Sequence, residues 1–595
     1  MKKVLAILLA MLLSMSALTG CGSEEKTEEK NETVQEETAE DKENEDKESE
    51  EKEEASVEAG NMVSKQCEGN ILTWNLAYDT ENLDPAQSVS ADSRSLVNNL
   101  FEGLMRDTGD GVKPALAADM PVVTENKNGT VTLTYTLIDS KWSDGQPVTA
   151  KDFEYGWKRC ADPENGAANA YLMSVLDGYS DIAQGVAKID SLGVKAVDEK
   201  TLEVTLKQPT AYFNDLLALP AFMPVREDMQ NFKDPKTAVS NGPFVLAGYT
   251  QGKEMILKKN PEYHNAEEVS LDYVIARMLN DNFGPVAMAY GDVVLTSGKV
   301  EQPADQTDTE GNTVKVPELP KTLEETTINS NTVVNLLVNA NTSNSMLKNH
   351  KVRAALSLGL DRKAAAEAAG NAIALTSATG MSGEMLPASP EIEDAKKMMD
   401  EYFAANPNAD KTIEIVFLKN DELQAALETV QKEWTDLGLE VTLTAQDAET
   451  YKKSRNSLQY ADIICSVWEA DVQDGQQFLE PFLTSNMQSG CGYTNTEFDE
   501  AMIAAIKAEG SARAEKLTAA ETVLLKDAYV MPLYQKTLTA TSDAARINGW
   551  KILPNGAYWF GDTALGAAAS EGEAETEKAE TEKSEEEKSE DKKEK

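Results

Sequence analysis

The chain has 595 residues, 102 of them acidic against 56 basic, for a net charge of −46. An acidic excess of this size excludes a partner held through its phosphate backbone, which requires a basic surface, so no nucleic-acid role is expected. The length also exceeds what one hydrophobic core accommodates, and at least two lobes are expected.

The chain opens with Lys2 and Lys3 and an apolar run, Val4 to Ala17, which reads as an export signal too short to span a bilayer comfortably. That run ends in Leu18-Thr19-Gly20-Cys21, where small residues precede a cysteine, the pattern read by bacterial lipoprotein processing. Cys21 is therefore expected to be the mature, lipid-bearing first residue on the extracytoplasmic face of the cell membrane. Several acyl chains hold firmly where one is marginal. Two tracts, Glu24 to Glu58 and Glu571 to Lys595, are rich in Glu and Lys and nearly free of aliphatic and aromatic residues. They cannot bury enough apolar surface to offset ordering entropy and are expected to be a solvated tether and a disordered tail.

Between the tracts the periodicity alternates between that of strands and that of helices. Val131, Leu133, Tyr135 and Leu137 alternate with threonines in TVTLTYTLI, predicting a half-buried strand over 130–138. Val194 to Val197 and Leu202, Val204 and Leu206 flank Asp198-Glu199-Lys200 and predict a hairpin. Val352, Ala355, Leu356 and Gly359 lay a narrow stripe along a helix. A second helix carries Leu423, Ala426, Leu427, Val430, Trp434 and Leu437, ends at Gly438, and leads into a strand from Leu439 to Leu443. The segment Ala461 to Glu469 reads as a strand. Mixed α/β lobes follow. Cys67, Cys160, Cys465 and Cys491 allow two bridges in any of three connectivities, or buried thiols, and the sequence leaves the choice open. The chain has no CxxC or Cys/His cluster, so neither metal nor cofactor is expected.

Several runs in this order resemble the oligopeptide-binding family of importer receptors, which has dipeptide, oligopeptide and nickel-binding members. They are Leu83-Asp84-Pro85, Asn99-Leu100-Phe101-Glu102-Gly103-Leu104, the long run Lys141 to Phe153 (KWSDGQPVTAKDF), Ser240-Asn241-Gly242-Pro243-Phe244, Val352-Arg353-Ala354-Ala355-Leu356 with Asp361-Arg362, and Trp468-Glu469-Ala470-Asp471. The resemblance implies a two-lobed α/β clamshell of the periplasmic-binding-protein type (type II, large class), with an extra subdomain in the first lobe. The expected division is 1–20 signal, 21–65 lipidated tether, 66–103 first part of lobe I, 104–226 inserted subdomain, 227–332 second part of lobe I, 333–536 lobe II, 537–565 return to lobe I, and 566–595 tail. Most of the matched runs also have a scaffold reading: Trp142, Asp144 and Gly145 as a turn, Asp152 as a helix cap, and Asn241-Gly242 as a turn.

By the same resemblance the ligand is an oligopeptide lying as an added strand between the lobes, its side chains in roomy hydrated pockets. The aspartate of the Trp-x-x-Asp run binds the peptide amine, which assigns that role to Asp471, with Trp468 beside it. Backbone contacts fall on Ser466, Val467 and Trp468 from one side and on Val89, Ser90 and Ala91 from the other. Some relatives place an acidic residue at Val89, and an aromatic at Ala448. The basic residue that some use upstream of the tryptophan is replaced by Cys465 or its neighbours, leaving Arg455 either to meet the peptide carboxylate or to be an exposed loop arginine. Tyr460, Tyr493 and Trp559 are expected in the core. The implied partners are a membrane permease and its ATPase, and a monomer is expected. Rival solutes within the fold are a dipeptide, a pheromone, a glycan, haem or a nickel chelate. The last is disfavoured because only His264 and His350 are present. No catalysis is expected, since HExxH, GxSxG and a serviceable Cys–His pairing are absent.

Overall fold

Alternation of apolar residues produces the strands. Val131–Thr136 buries Val131, Leu133 and Tyr135 on one face and is the second strand of a four-stranded antiparallel sheet. In that sheet the hairpin pairs Val194–Ala196 with Thr201–Leu206, Val194 lying opposite Val204. The computed structural model describes residues 63–566 apart from 81, 308–310 and 487. Cys21, the export signal and the whole of both acidic tracts lie outside the described residues.

A larger sheet of eleven strands organises the rest. Its members are β1 (Ile71–Asn75), β2 (Phe244–Thr250), β3 (Glu254–Lys259), β4 (Tyr273–Arg277), β5 (Leu295–Ser297), β6 (Leu323–Val338), β7 (Ala372–Ala374), β8 (Thr412–Leu418), β9 (Glu440–Gln446), β10 (Ile463–Glu469) and β11 (Val530–Asp543). The spatial order is β9-β8-β10-β6-β11-β5-β1-β4-β3-β2, with β7 beside β11. Two long antiparallel strands, β6 and β11, connect the halves. Their register shifts between Asn329 and Val333, and such irregularities bend and twist a strand pair.

The apolar cores follow this division. One gathers Leu72, Trp74, Phe101, Trp142, Trp157, Phe222 and Phe560. A second gathers Val334, Leu356, Ile415, Leu427, Trp434 and Tyr534, and a third Ile464, Phe498, Met502 and Leu524. The stripe from Leu423 to Trp434 is the buried face of helix Asp421–Asp436. Gly438 follows at φ +90°, a conformation glycine adopts without the Cβ penalty. The strand after it, β9, runs further than its apolar pattern indicates, because β8 pairs with it along its whole length.

The matched runs are largely scaffold. Asp84 caps a short 3-10 turn and grips Arg159 of helix Ala150–Ala161. Asp152 does cap that helix, from its third position: Thr149 occupies the N-cap, and Asp152 reaches back to accept from the Thr149 backbone N–H at 2.8 Å in a capping box. Glu102 is buried, accepting from Arg106 Nε at 3.0 Å and Tyr263 OH at 2.8 Å, with His264 Nε2 at 2.6 Å. Asn241 pairs with both backbone groups of Glu102. A Cβ on Gly242 would fall 2.8 Å from the Leu100 carbonyl carbon, so only glycine fits there. The disulfide option fails, because Cys160, Cys465 and Cys491 are buried thiols without bridges.

Candidate ligand-binding site

Strand β10 ends in the site. It pairs antiparallel with β6 along its length, but its other edge meets β8 only at Ile463 and Ile464. Beyond Ile464 that edge is unpaired by strand. Immediately after β10 the chain turns through Ala470 and Asp471, and the turn is fixed by Gln477. The Gln477 Oε1 accepts from the backbone N–H of Asp471 at 2.7 Å and of Val472 at 3.1 Å. Asp474 caps the helix carrying Gln477 and is held by Arg513 at 2.8 and 2.7 Å. Val472 packs into the first core, across from the lobe that carries it.

The Asp471 carboxylate is half-buried, and Tyr171 donates to its Oδ1 at 2.6 Å. It forms no ion pair among the described residues. Burial pushes its pKa above the ordinary carboxylate range, the Tyr171 hydrogen bond opposes this, and the neighbouring Glu469 charge adds to it. Arg94 lies close but is ion-paired with Glu469, at 3.4 Å. Asp471 is thus a half-buried carboxyl group whose hydrogen-bond partner is neutral.

A cavity of about 1360 Å³ runs from Asp471 along Trp468 to Arg455. A smaller one of about 200 Å³ is shared by Val89, Arg94, Tyr171, Glu469 and Asp471. The structure therefore brings Asp471, Trp468, Arg455 and Val89 together. Ser90, Ala91, Ser466 and Val467 line neither cavity. Ser90 is occupied as the cap of helix Ala91–Leu100, accepting from Ser93 N at 3.1 Å, and Ala91 begins that helix.

Backbone direction along β10 refines the expected contacts. Ala470 N donates to Asn331 O on the β6 side, whereas Cys465 O accepts from Tyr451 on the opposite side. Strand alternation then turns the peptide groups of Ser466 and Trp468 toward β6 and those of Val467 and Glu469 toward the open edge. Ser466 and Trp468 therefore turn their backbone groups to β6, while Val467 and Glu469 present theirs at the open edge. The Trp468 side chain contributes otherwise: its indole donates to Gln477 O at 3.1 Å, and the Arg455 guanidinium carbon lies 5.9 Å from its ring centroid.

Arg455 lies on helix Ala448–Asn456 and donates from Nη2 to Gln488 O at 2.7 Å. Its Nε is buried without a hydrogen-bond partner, and it makes no ion pair among the described residues. It is therefore a cleft cation with unused donor capacity. Tyr460, Tyr493 and Trp559 are buried, as their composition predicts. Sequence reasoning missed Tyr171, Arg94, Gln477 and Glu469, whose roles arise from tertiary contacts without a local signal.

The profile of bacterial extracellular solute-binding proteins, family 5, matches residues 111–490. The chain belongs to that family. It is 28% identical over 507 residues to the periplasmic oligopeptide-binding protein OppA of Escherichia coli, covering 81% of this chain and 89% of that protein. It is 29% identical over 510 residues to the probable deoxycholate-binding periplasmic protein YgiS of the same organism, covering 81% and 91%. Among solved structures, a periplasmic oligopeptide-binding protein of Borrelia burgdorferi (OppAIV) superposes with a TM-score of 0.61 at 26% identity, over 84% of this chain and all of that one. The two halves joined by β6 and β11 are thus the two lobes of a family 5 solute-binding protein, and the cavity is its interlobe cleft. Among the described residues no helix is long and apolar enough to cross a membrane.

Proposed function

We propose that the chain captures oligopeptides for an ABC importer, adding them as a strand to the open edge of β10 and holding their ammonium on Asp471. One observation carries this reading: Asp471 is a half-buried carboxylate at the end of an unpaired strand edge, with a neutral donor and no cation paired to it among the described residues. An ammonium supplies the missing charge and makes a charge-assisted bond in a low-dielectric site. Main-chain groups at Val467 and Glu469 give affinity without reading sequence, as suits a receptor for many peptides. Arg455 meets the carboxylate end, and Val89 borders the first ligand residue.

The rest of the proposal concerns delivery. Diacylated Cys21 tethers a monomer to the membrane, and the lobes divide at the boundaries expected above, with 104–226 as the inserted subdomain. A ligand touching both lobes favours the closed state by its differential affinity, and that state docks on the permease driven by its ATPase. Calorimetric titration with a random peptide pool, beside sugars, bile acids and metal chelates, tests the reading. Heat from the peptides alone is expected, while silence toward them with heat from another class would replace it.

A further inference from the structure

The open edge of β10 is short, and one side chain ends it. Pairing between β8 and β10 stops after Ile464, and helix Ala448–Asn456 packs against β8. From that helix Tyr451 donates its hydroxyl to Cys465 O at 2.8 Å. Cys465 is the next residue after Glu469 and Val467 whose peptide group faces outward, because outward positions recur every second residue. The carbonyl that would continue the edge is therefore already taken, and a phenol ring stands beside it. Tyr451 is half-buried and packs against the third core, which holds the ring in place.

We propose that Tyr451 sets the length of peptide the cleft accepts; this deepens, and rests on, the reading of Asp471 as the amine site. Asp471 lies just past the C-terminal end of β10, so a peptide anchored there runs antiparallel to the strand, toward Cys465. Its first residue falls beside Glu469, its third beside Val467, and its fifth beside Cys465. The fifth residue finds its acceptor occupied and its path obstructed. Backbone pairing thus serves peptides of about three or four residues, while Arg455, on the same helix as Tyr451 and beside Trp468, is positioned for a carboxylate at that distance.

The test is calorimetric titration of the full chain, and of its Y451A and Y451F variants, with a series of all-alanine peptides from dipeptide to hexapeptide. Wild type is expected to bind the tripeptide and tetrapeptide about tenfold more tightly than the pentapeptide and hexapeptide, the loss corresponding to roughly one pair of modest hydrogen bonds. Y451A is expected to abolish that difference. Should Y451A fail to fold, Y451F, which keeps the ring and loses only the donated hydrogen, must recover part of the lost affinity for the pentapeptide. A wild-type profile flat beyond the tripeptide would overturn the proposal, as would a drop that persists unchanged in both variants. These outcomes leave the Asp471 reading intact, whereas failure of every peptide to bind would end both.

Discussion

The phenol of Tyr171 donates to Asp471 Oδ1 at 2.6 Å, joining residues 300 positions apart across the cleft. The bond stabilises the ionised carboxylate against a burial that disfavours it. Ligand ammonium requires the ionised form, so binding weakens as pH falls through the raised pKa of Asp471. Tyr171→Phe removes the opposing hydrogen bond and leaves the burial. We therefore expect the acid limb of peptide binding to move to higher pH in the variant, measured as affinity against pH from about 4 to 8 for one free-amine peptide. An unmoved limb would remove Tyr171 from the site's electrostatics.

Glu433 gives a pH dependence of stability rather than of binding. Its Oε2 accepts from Asp361 N at 3.0 Å, and burial pushes its pKa up from 4.5 to about 7. The folded state then holds a proton that the unfolded state releases. The stability this group contributes is full below its unfolded value and is lost as pH rises through about 7. Glu433→Gln keeps an acceptor for Asp361 but cannot ionise. The melting temperature of the variant relative to wild type is expected to improve steadily from pH 4.5 to about 7 and then level, and a constant difference across that range would contradict the assignment.

The buried cysteines yield a third expectation. Burial pushes the thiols of Cys160 and Cys465 up to about 12, and raises that of Cys491. Thiolate is the reactive form. These three should resist a thiol reagent in the native protein and react once it is denatured, and a reductant should leave the melting temperature unchanged. A drop in melting temperature on reduction would indicate a bridge.

Much of this is readable in the sequence wherever the signal is local. The alternation of Val131, Leu133 and Tyr135 and the stripe from Leu423 to Trp434 give their elements directly, because burial on one face imposes a period. Asp471 is readable only by resemblance, since one more aspartate in a chain with 102 acidic residues has no pattern of its own. Tyr171 and Gln477 escape a sequence reading, because nothing near either residue in sequence encodes the turn or carboxylate it meets. Ser466 and Trp468, expected among the backbone contacts, face β6 instead for a related reason. The side of β10 left open depends on where β8 stops pairing, and that is a property of two strands together.

The most direct test of the amine site compares Asp471→Asn with wild type, by calorimetry, on one peptide with a free amine and the same peptide N-acetylated. Loss of one partner of a buried charge pair costs about 2–5 kcal/mol. The free-amine peptide should lose that much affinity and the acetylated peptide almost none. Equal weakening of both would contradict the account.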